Sequence, residues 1–252
     1  MTPDQIISWL QAALRWGGPL ILVSIGEVFS ERSGVINVGI EGIMLFGALA
    51  GIAISFSTGS VLLAVLGTIL LGALFGIAFA YLTVKRRTNQ VVTGLMFNLA
   101  ALGGTNLLFA LLSETRSERV ATFPILFPES FFKIPFLGPV LFRQPVITWI
   151  ALILPFIAGW ILYRTDWGLN IRAVGDNPQA AATAGLKVIR LKYQAVILSG
   201  IFAALGGCAL TLGEVGYFAS GGMTAGRGFV VLAAVVVGGW DPLRTALACL
   251  VF

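Results

Sequence analysis

GIMLFGALAGIAISFSTGSVLLAVLGTILLGALFGIAFAYLTV, residues 42–84, carries no Asp, Glu, Lys or Arg over 43 residues. A hydrocarbon core about 30 Å thick is crossed by about 20 apolar residues in a helix, so the run encodes two spans with a turn near Ser55 to Ser60. Working outward, Thr88 to Ser113, Gln144 to Tyr163 and Tyr193 to Gly213 are charge-free for 26, 20 and 21 residues, one span each. Ile6 to Phe29 is a further span, and Arg15 within it implies an interfacial start. The whole chain is 58% hydrophobic and 11% charged, about half the charge of a soluble domain. The class is therefore an all-α, polytopic membrane helical bundle, read as one domain over residues 1–252. No cleavable signal is expected, because Met1 to Gln5 has no basic region and carries only Asp4.

Lys and Arg set the orientation. Lys85, Arg86 and Arg87 separate the third and fourth spans, while Arg164, Arg172, Lys187, Arg190 and Lys192 separate the fifth and sixth. Two spans lie between the clusters, so both face one side, cytoplasmic by the positive-inside rule. The N-terminus and the loop Glu114 to Arg143 are then external. The net charge of +5 reflects topology, and no nucleic-acid patch is present. With no histidine, and with Cys208 and Cys249 alone in apolar runs, neither a His/Cys metal site nor a disulfide framework is expected. Gly-Lys never occurs, which excludes a Walker A loop, and Gly226-Arg227-Gly228 lacks the third glycine of a dinucleotide fingerprint. No cofactor or catalytic residue is expected, so uphill transport would draw on a partner ATPase or an ion gradient.

One polar island interrupts the apolar pattern, GLNIRAVGDNPQAAATAGLKVIRLK at residues 168–192. It encodes one short helix. Asn177 caps it, Pro178 takes its first position, and Gly185 ends it in the left-handed conformation. A helix this short is marginal in water and needs a docking surface, on its own chain or on another. Its small side chains, Ala180 to Ala184, would let it enter a groove.

Glycines and intramembrane polar residues supply the remaining signals. Gly47 with Gly51, and Gly72 with Gly76, have the small-xxx-small spacing of close helix packing. Gly26-Glu27 and Gly213-Glu214 each end an apolar run and precede a stretch rich in Gly, Ser and polar residues, at an offset of 187 residues. The first copy begins at span one and the second at span six, so the halves form an inverted repeat with interrupted helices. On that reading Glu27 and Glu214 flank one cavity. Ser33, Asn37 and Glu41 have i, i+4, i+8 spacing, as Gln90 and Asn98 with Asn106 share a face of the fourth span. Unpaired amides and carboxyls are costly in hydrocarbon, so Asn37, Glu41 and Asn98 point inward. Interhelical bonding and pathway lining both account for them.

Three stretches carry a resemblance to a known family: GEVFSERSGVINVGIEG (Gly26 to Gly42), RAVGDNPQAAATAGL (Arg172 to Leu186) and MTAGRGFVVLAAVVVGGWDPL (Met223 to Leu243). The chain resembles the permease subunits of bacterial ABC importers of the branched-chain amino acid, ribose and nucleoside superfamily, most of all the nucleoside or simple-sugar type. The resemblance implies an inner-membrane subunit that translocates a nucleoside or simple sugar by alternating access. Its implied partners are a second permease, as a heterodimer, a cytoplasmic ATPase that binds the ATP, and an extracytoplasmic substrate-binding protein, besides membrane lipid. It places a cytoplasmic coupling loop at 168–192, with Arg172, Gly175 and Asp176 leading into a coupling helix that includes Asn177, Pro178, Ala181 and Gly185. The family pattern would continue for roughly two spans beyond Phe252, so the C-terminal half reads as truncated. A branched-chain amino acid permease and an ion-coupled carrier, with Glu41 or Glu214 as the proton site, are the alternatives.

Overall fold

The computed structural model describes residues 2–111, 120–128, 131, 132, 138–219 and 222–252. Among these the elements are α1 (Pro3–Arg32), α2 (Ile40–Thr58), α3 (Val61–Ala80), α4 (Gln90–Leu111), α5 (Val146–Arg164), α6 (Asp166–Asp176), α7 (Pro178–Thr183), α8 (Val188–Ala209), α9 (Arg227–Val237) and α10 (Pro242–Val251). Helix α3 runs on into a π-helical turn, Tyr81–Lys85, and α8 into another, Leu210–Val215. Six helical segments are long and apolar enough to cross a membrane, one for each span read from the sequence. No strand occurs among the described residues beyond the bridge Ile125 to Pro145. The fold is an all-α polytopic bundle.

Polar residues at the chain turns start and stop the helices. Gly59 closes α2 with φ +66°, and the Ser60 hydroxyl accepts from the Leu63 N–H to open α3. Asn89 accepts from the Val91 and Val92 N–H groups at the start of α4, and Asp241 from Leu243 and Arg244 before α10. These caps satisfy helix-end donors that an apolar sequence cannot serve.

Helix α8 is the buried axis of the bundle, and glycine lets its neighbours approach. A Cβ on Gly72 would lie 2.5 Å from the Gly200 carbonyl oxygen, and one on Gly76 2.8 Å from the Ile197 Cα. One on Gly51 would lie 2.8 Å from the Cys208 sulfur. Gly47 and Gly207 seal the α2–α8 contact against Ala204 and Met44. Both small-xxx-small pairs therefore face one helix. The main core gathers Ile21, Val28, Met44, Ala203 and Val235 from α1, α2, α8 and α9.

The loop segment 120–128 lies at the opposite end of the bundle from the basic clusters. The Phe123 N–H donates to the Leu212 carbonyl (3.0 Å), and the Ser55 hydroxyl to the Ala121 carbonyl (2.8 Å). At the other end, Lys85, Lys187 and Arg190 line one cleft. The two clusters thus share a side. Of the loop Glu114 to Arg143, only residues 120–128, 131, 132 and 138–143 are described.

Candidate functional site

Two chain breaks within the bundle form the first site. After Arg32 the chain leaves the helix at Gly34 (φ +80°) and runs non-helically to Gly39, where α2 begins. After Val215 it leaves at Gly216 (φ +76°) and returns to Gly226, where α9 begins. Helix α9 has 11 residues, about 16 Å, roughly half the hydrocarbon thickness. The two new N-termini meet. The Glu41 carboxylate, in the first turn of α2, accepts from the Thr224 hydroxyl (2.6 Å) and from the N–H groups of Gly226 (2.8 Å) and Gly228 (2.6 Å). Helix α9 has no side-chain cap of its own, so Glu41 caps it from another helix. A Cβ on Gly228 would lie 2.7 Å from the Glu41 Cα, so only glycine permits this approach. The 187-residue offset read from the sequence pairs Glu41 with Gly228, and these two residues touch.

The other intramembrane polar residues bind the first break. Asn98 on α4 accepts from the Gly42 N–H (2.7 Å) and donates to the Val38 carbonyl (2.9 Å), while Gln90 accepts from Ile36 N–H (2.9 Å). Glu27 is wholly buried; it accepts from the Asn37 N–H (2.8 Å) and the Ser199 hydroxyl (2.7 Å). The Asn37 amide donates to Ser199 Oγ (2.9 Å), and its Oδ1 is buried with no partner. Non-helical backbone packed among apolar helices must be satisfied by protein, and these side chains do so.

Three expectations are corrected here. The Gly-Glu dipeptides do not interrupt helices: α1 runs unbroken through Gly26-Glu27 to Arg32, and the π-turn after α8 carries Gly213-Glu214 to Val215. Gly26 serves instead for contact with α8, since a Cβ there would lie 2.8 Å from Phe202 Cβ. Nor do Glu27 and Glu214 share a cavity. Glu214 forms an ion pair with Arg15, whose guanidinium also donates to the Glu214 carbonyl (2.6 Å), and Arg15 lies twelve residues, roughly 18 Å, from Glu27 along α1. Finally, Ser33, Asn37 and Glu41 do not share one helix face, because 33–39 is not helical.

The polar island forms the second site, and it holds two helices rather than one. Thr165 caps α6 by accepting from the Gly168 N–H (3.2 Å), outside the island and so invisible within it. Asn177 Oδ1 accepts from Gln179 (3.1 Å) and Ala180 (3.0 Å), Pro178 opens α7, and Gly185 has φ +85°. Ala181 is buried against Ile171, Val174, Leu191 and Ala195. The short helix thus docks on its own chain through Ala181, leaving Asp176, Asn177, Pro178, Gln179, Ala180, Ala182 and Gly185 exposed. Of the lead-in residues, Arg172 and Gly175 pack against the chain while Asp176 is exposed. The Arg172 guanidinium stacks over Tyr163 at 5.2 Å, and Gly175 abuts the Arg32 carbonyl with no room for a side chain. Trp167 donates to Gln194 (3.0 Å), fastening α6 to α8.

Contacts connect the two sites. The Arg32 guanidinium donates to the Trp240 carbonyl (2.9 Å) and the Trp240 indole to Glu31 (2.5 Å), tying the end of α1 to the turn between α9 and α10. A continuous path runs from α7 through α6, Arg32 and α9 to Glu41. Sequence reasoning missed Ser199, Thr224, Arg32 and Trp240. A lone Ser inside an apolar span was the available signal for the first; the others lie in polar stretches whose pairing only the fold reveals. No cluster of three metal-ligating side chains occurs among the described residues.

The family described as branched-chain amino acid transport system / permease component matches residues 10–252. The guanosine ABC transporter permease NupQ of Bacillus subtilis is 36% identical, over 98% of this chain and 81% of its own length. A putative glucose ABC transporter permease of Haloferax volcanii is 35% identical (96% and 74%), and the nucleoside ABC transporter permease NupC of Lactococcus lactis 35% (95% and 78%). No solved structure matches. The chain belongs to this permease family and is a multi-pass integral protein of the bacterial inner membrane, a transport component.

Proposed function

We propose that this chain is the permease subunit of an ABC importer that moves a nucleoside or a simple sugar by alternating access. The observation that carries the reading is α7, a short helix fastened to α1, α5 and α8 through α6 and exposed on its outer side. An ion-coupled carrier has no use for such a knob; a cytoplasmic ATPase that must push on the membrane helices does. The relatives act on guanosine, nucleosides and glucose by name, and the hydroxyls of such solutes suit amide and carboxylate partners.

Closure of the ATPase dimer displaces α7. Because Gly175 abuts Arg32 and Arg32 holds the α9–α10 turn, the displacement reaches the N-terminus of α9 and its cap, Glu41. The pathway opens where the two chain breaks meet. There Glu41, Asn37 and Asn98, bonded here to backbone and to Ser199, exchange partners with the solute, while Glu27 and Glu214 hold the inner and outer ends of α1. A binding protein delivers the solute outside, and a second permease completes the pathway. The test is uptake of labelled guanosine or glucose into proteoliposomes of the assembled transporter, with ATP or with an ion gradient as the only energy source. Uptake with ATP alone supports the reading; uptake driven by the gradient without ATP overturns it.

A further inference from the structure

A cleft of about 810 Å³ opens between the cytoplasmic ends of α3 and α8. Leu186, Ile189 and Tyr193 give it apolar walls, Lys85, Lys187 and Arg190 stand at its edge, and no acidic residue lines it. Lys187 and Arg190 are exposed, and the salt bridge among the described residues lies elsewhere, between Arg15 and Glu214. Three cations thus share one cleft whose described lining holds no carboxylate. The cleft sits at a membrane boundary, since Lys85 ends one apolar span and Val188 begins another.

The neighbouring surface of α3 continues the cleft into the bilayer. Leu66, Leu70, Leu74, Ile77 and Tyr81 recur at helical spacing on one exposed face, and the next residue on that face is Lys85. That stripe is about 28 Å long, the depth of the hydrocarbon core. At its foot the Lys85 ammonium and the Arg86 guanidinium each lie 5.4 Å from the Tyr81 ring centroid, and aromatic rings of this kind favour the headgroup level.

We infer that this cleft is a binding site for an anionic phospholipid of the cytoplasmic leaflet. The phosphate and its anionic headgroup lie against Lys85, Lys187 and Arg190, and the acyl chains run along the α3 stripe. Basic pockets between membrane helices on the cytoplasmic side suit anionic lipid for this reason. An acidic protein surface would match the cations but not the apolar stripe that descends from them. Ala182 of α7 also borders the cleft, so a bound lipid braces the knob; that consequence alone rests on the docking proposal.

The experiment is native mass spectrometry of the transporter released from its membrane in mild detergent, read for retained phosphatidylglycerol against phosphatidylethanolamine. The wild type retains phosphatidylglycerol. The triple variant Lys85→Gln, Lys187→Gln, Arg190→Gln loses it at least tenfold while its phosphatidylethanolamine is unchanged. Arg164→Gln with Arg244→Gln, exposed arginines outside the cleft, retains it. Equal retention by triple variant and wild type overturns the inference, as does equal loss in the Arg164/Arg244 variant. Detachment of the ATPase from the triple variant with phosphatidylglycerol retained overturns it in favour of an acidic protein surface. Retention does not depend on ATPase docking at α7, so the two readings fail separately.

Discussion

Glu41 serves three donors that belong to the other half of the molecule, at a helix start with no side-chain cap of its own. Each donor left unpaired inside the bundle costs about 1–3 kcal/mol. Glu41→Ala, which strands all three, is expected to lower the unfolding midpoint markedly and abolish uptake. Thr224→Val removes one donor together with the group that needed a partner, and it should cost about 1 kcal/mol and leave uptake measurable. Thermal unfolding in detergent beside uptake checks the ranking; equal effects of the two changes would contradict the capping role. Such pairings were only half legible. That Glu41, Asn37 and Asn98 point inward follows from the cost of polar groups in hydrocarbon. Which groups they meet depends on a chain break that spacing alone misread as continuous helix.

At the scale of elements, α8 depends on glycine and α7 on one alanine. Gly207 abuts the Met44 carbonyl with no space for a side chain, so Gly207→Val must push α2 away. Overpacking of this kind costs about 1–3 kcal/mol or more, and the loss should appear as reduced yield of folded protein and a lower melting temperature. On α7, Ala181→Trp should unseat the helix from Leu191 and Ala195, whereas Ala182→Trp should leave the fold intact and impair coupling. Limited proteolysis separates them, with faster cleavage of the 168–192 loop expected for Ala181→Trp only. The spans were readable because charge-free runs of helical length have one solution in lipid. Asn177, Pro178 and Gly185 were readable because each acts locally. Helix α6 was not, since its cap, Thr165, lies just outside the polar island and its close contacts at Gly168 and Gly175 belong to the tertiary structure. The Gly-Glu repeat located both breaks to within a few residues but assigned them to the wrong ones, because a glycine packed against a neighbouring helix looks in sequence like a glycine that ends one.

For the whole molecule, the placement of both basic clusters at one end and residues 120–128 at the other makes topology testable. Cys208 and Cys249 are buried, so single cysteines introduced at the surface report cleanly. In intact cells, cysteines at Arg86 and Gln179 should resist an impermeant thiol reagent, and one at Leu126, exposed beside the external end of α8, should react. Reaction at Gln179 would reverse the orientation. The central claim is that a cytoplasmic ATPase acts on this chain through α7. A photo-crosslinking amino acid in place of Gln179, exposed on the outer side of that helix, tests it most directly. The account predicts a crosslink to the ATPase subunit whose yield changes between ATP-bound and nucleotide-free states, with none from the same group at Leu126; a crosslink to the ATPase from Leu126, or none from Gln179 in a transporter that still takes up solute with ATP, would contradict it.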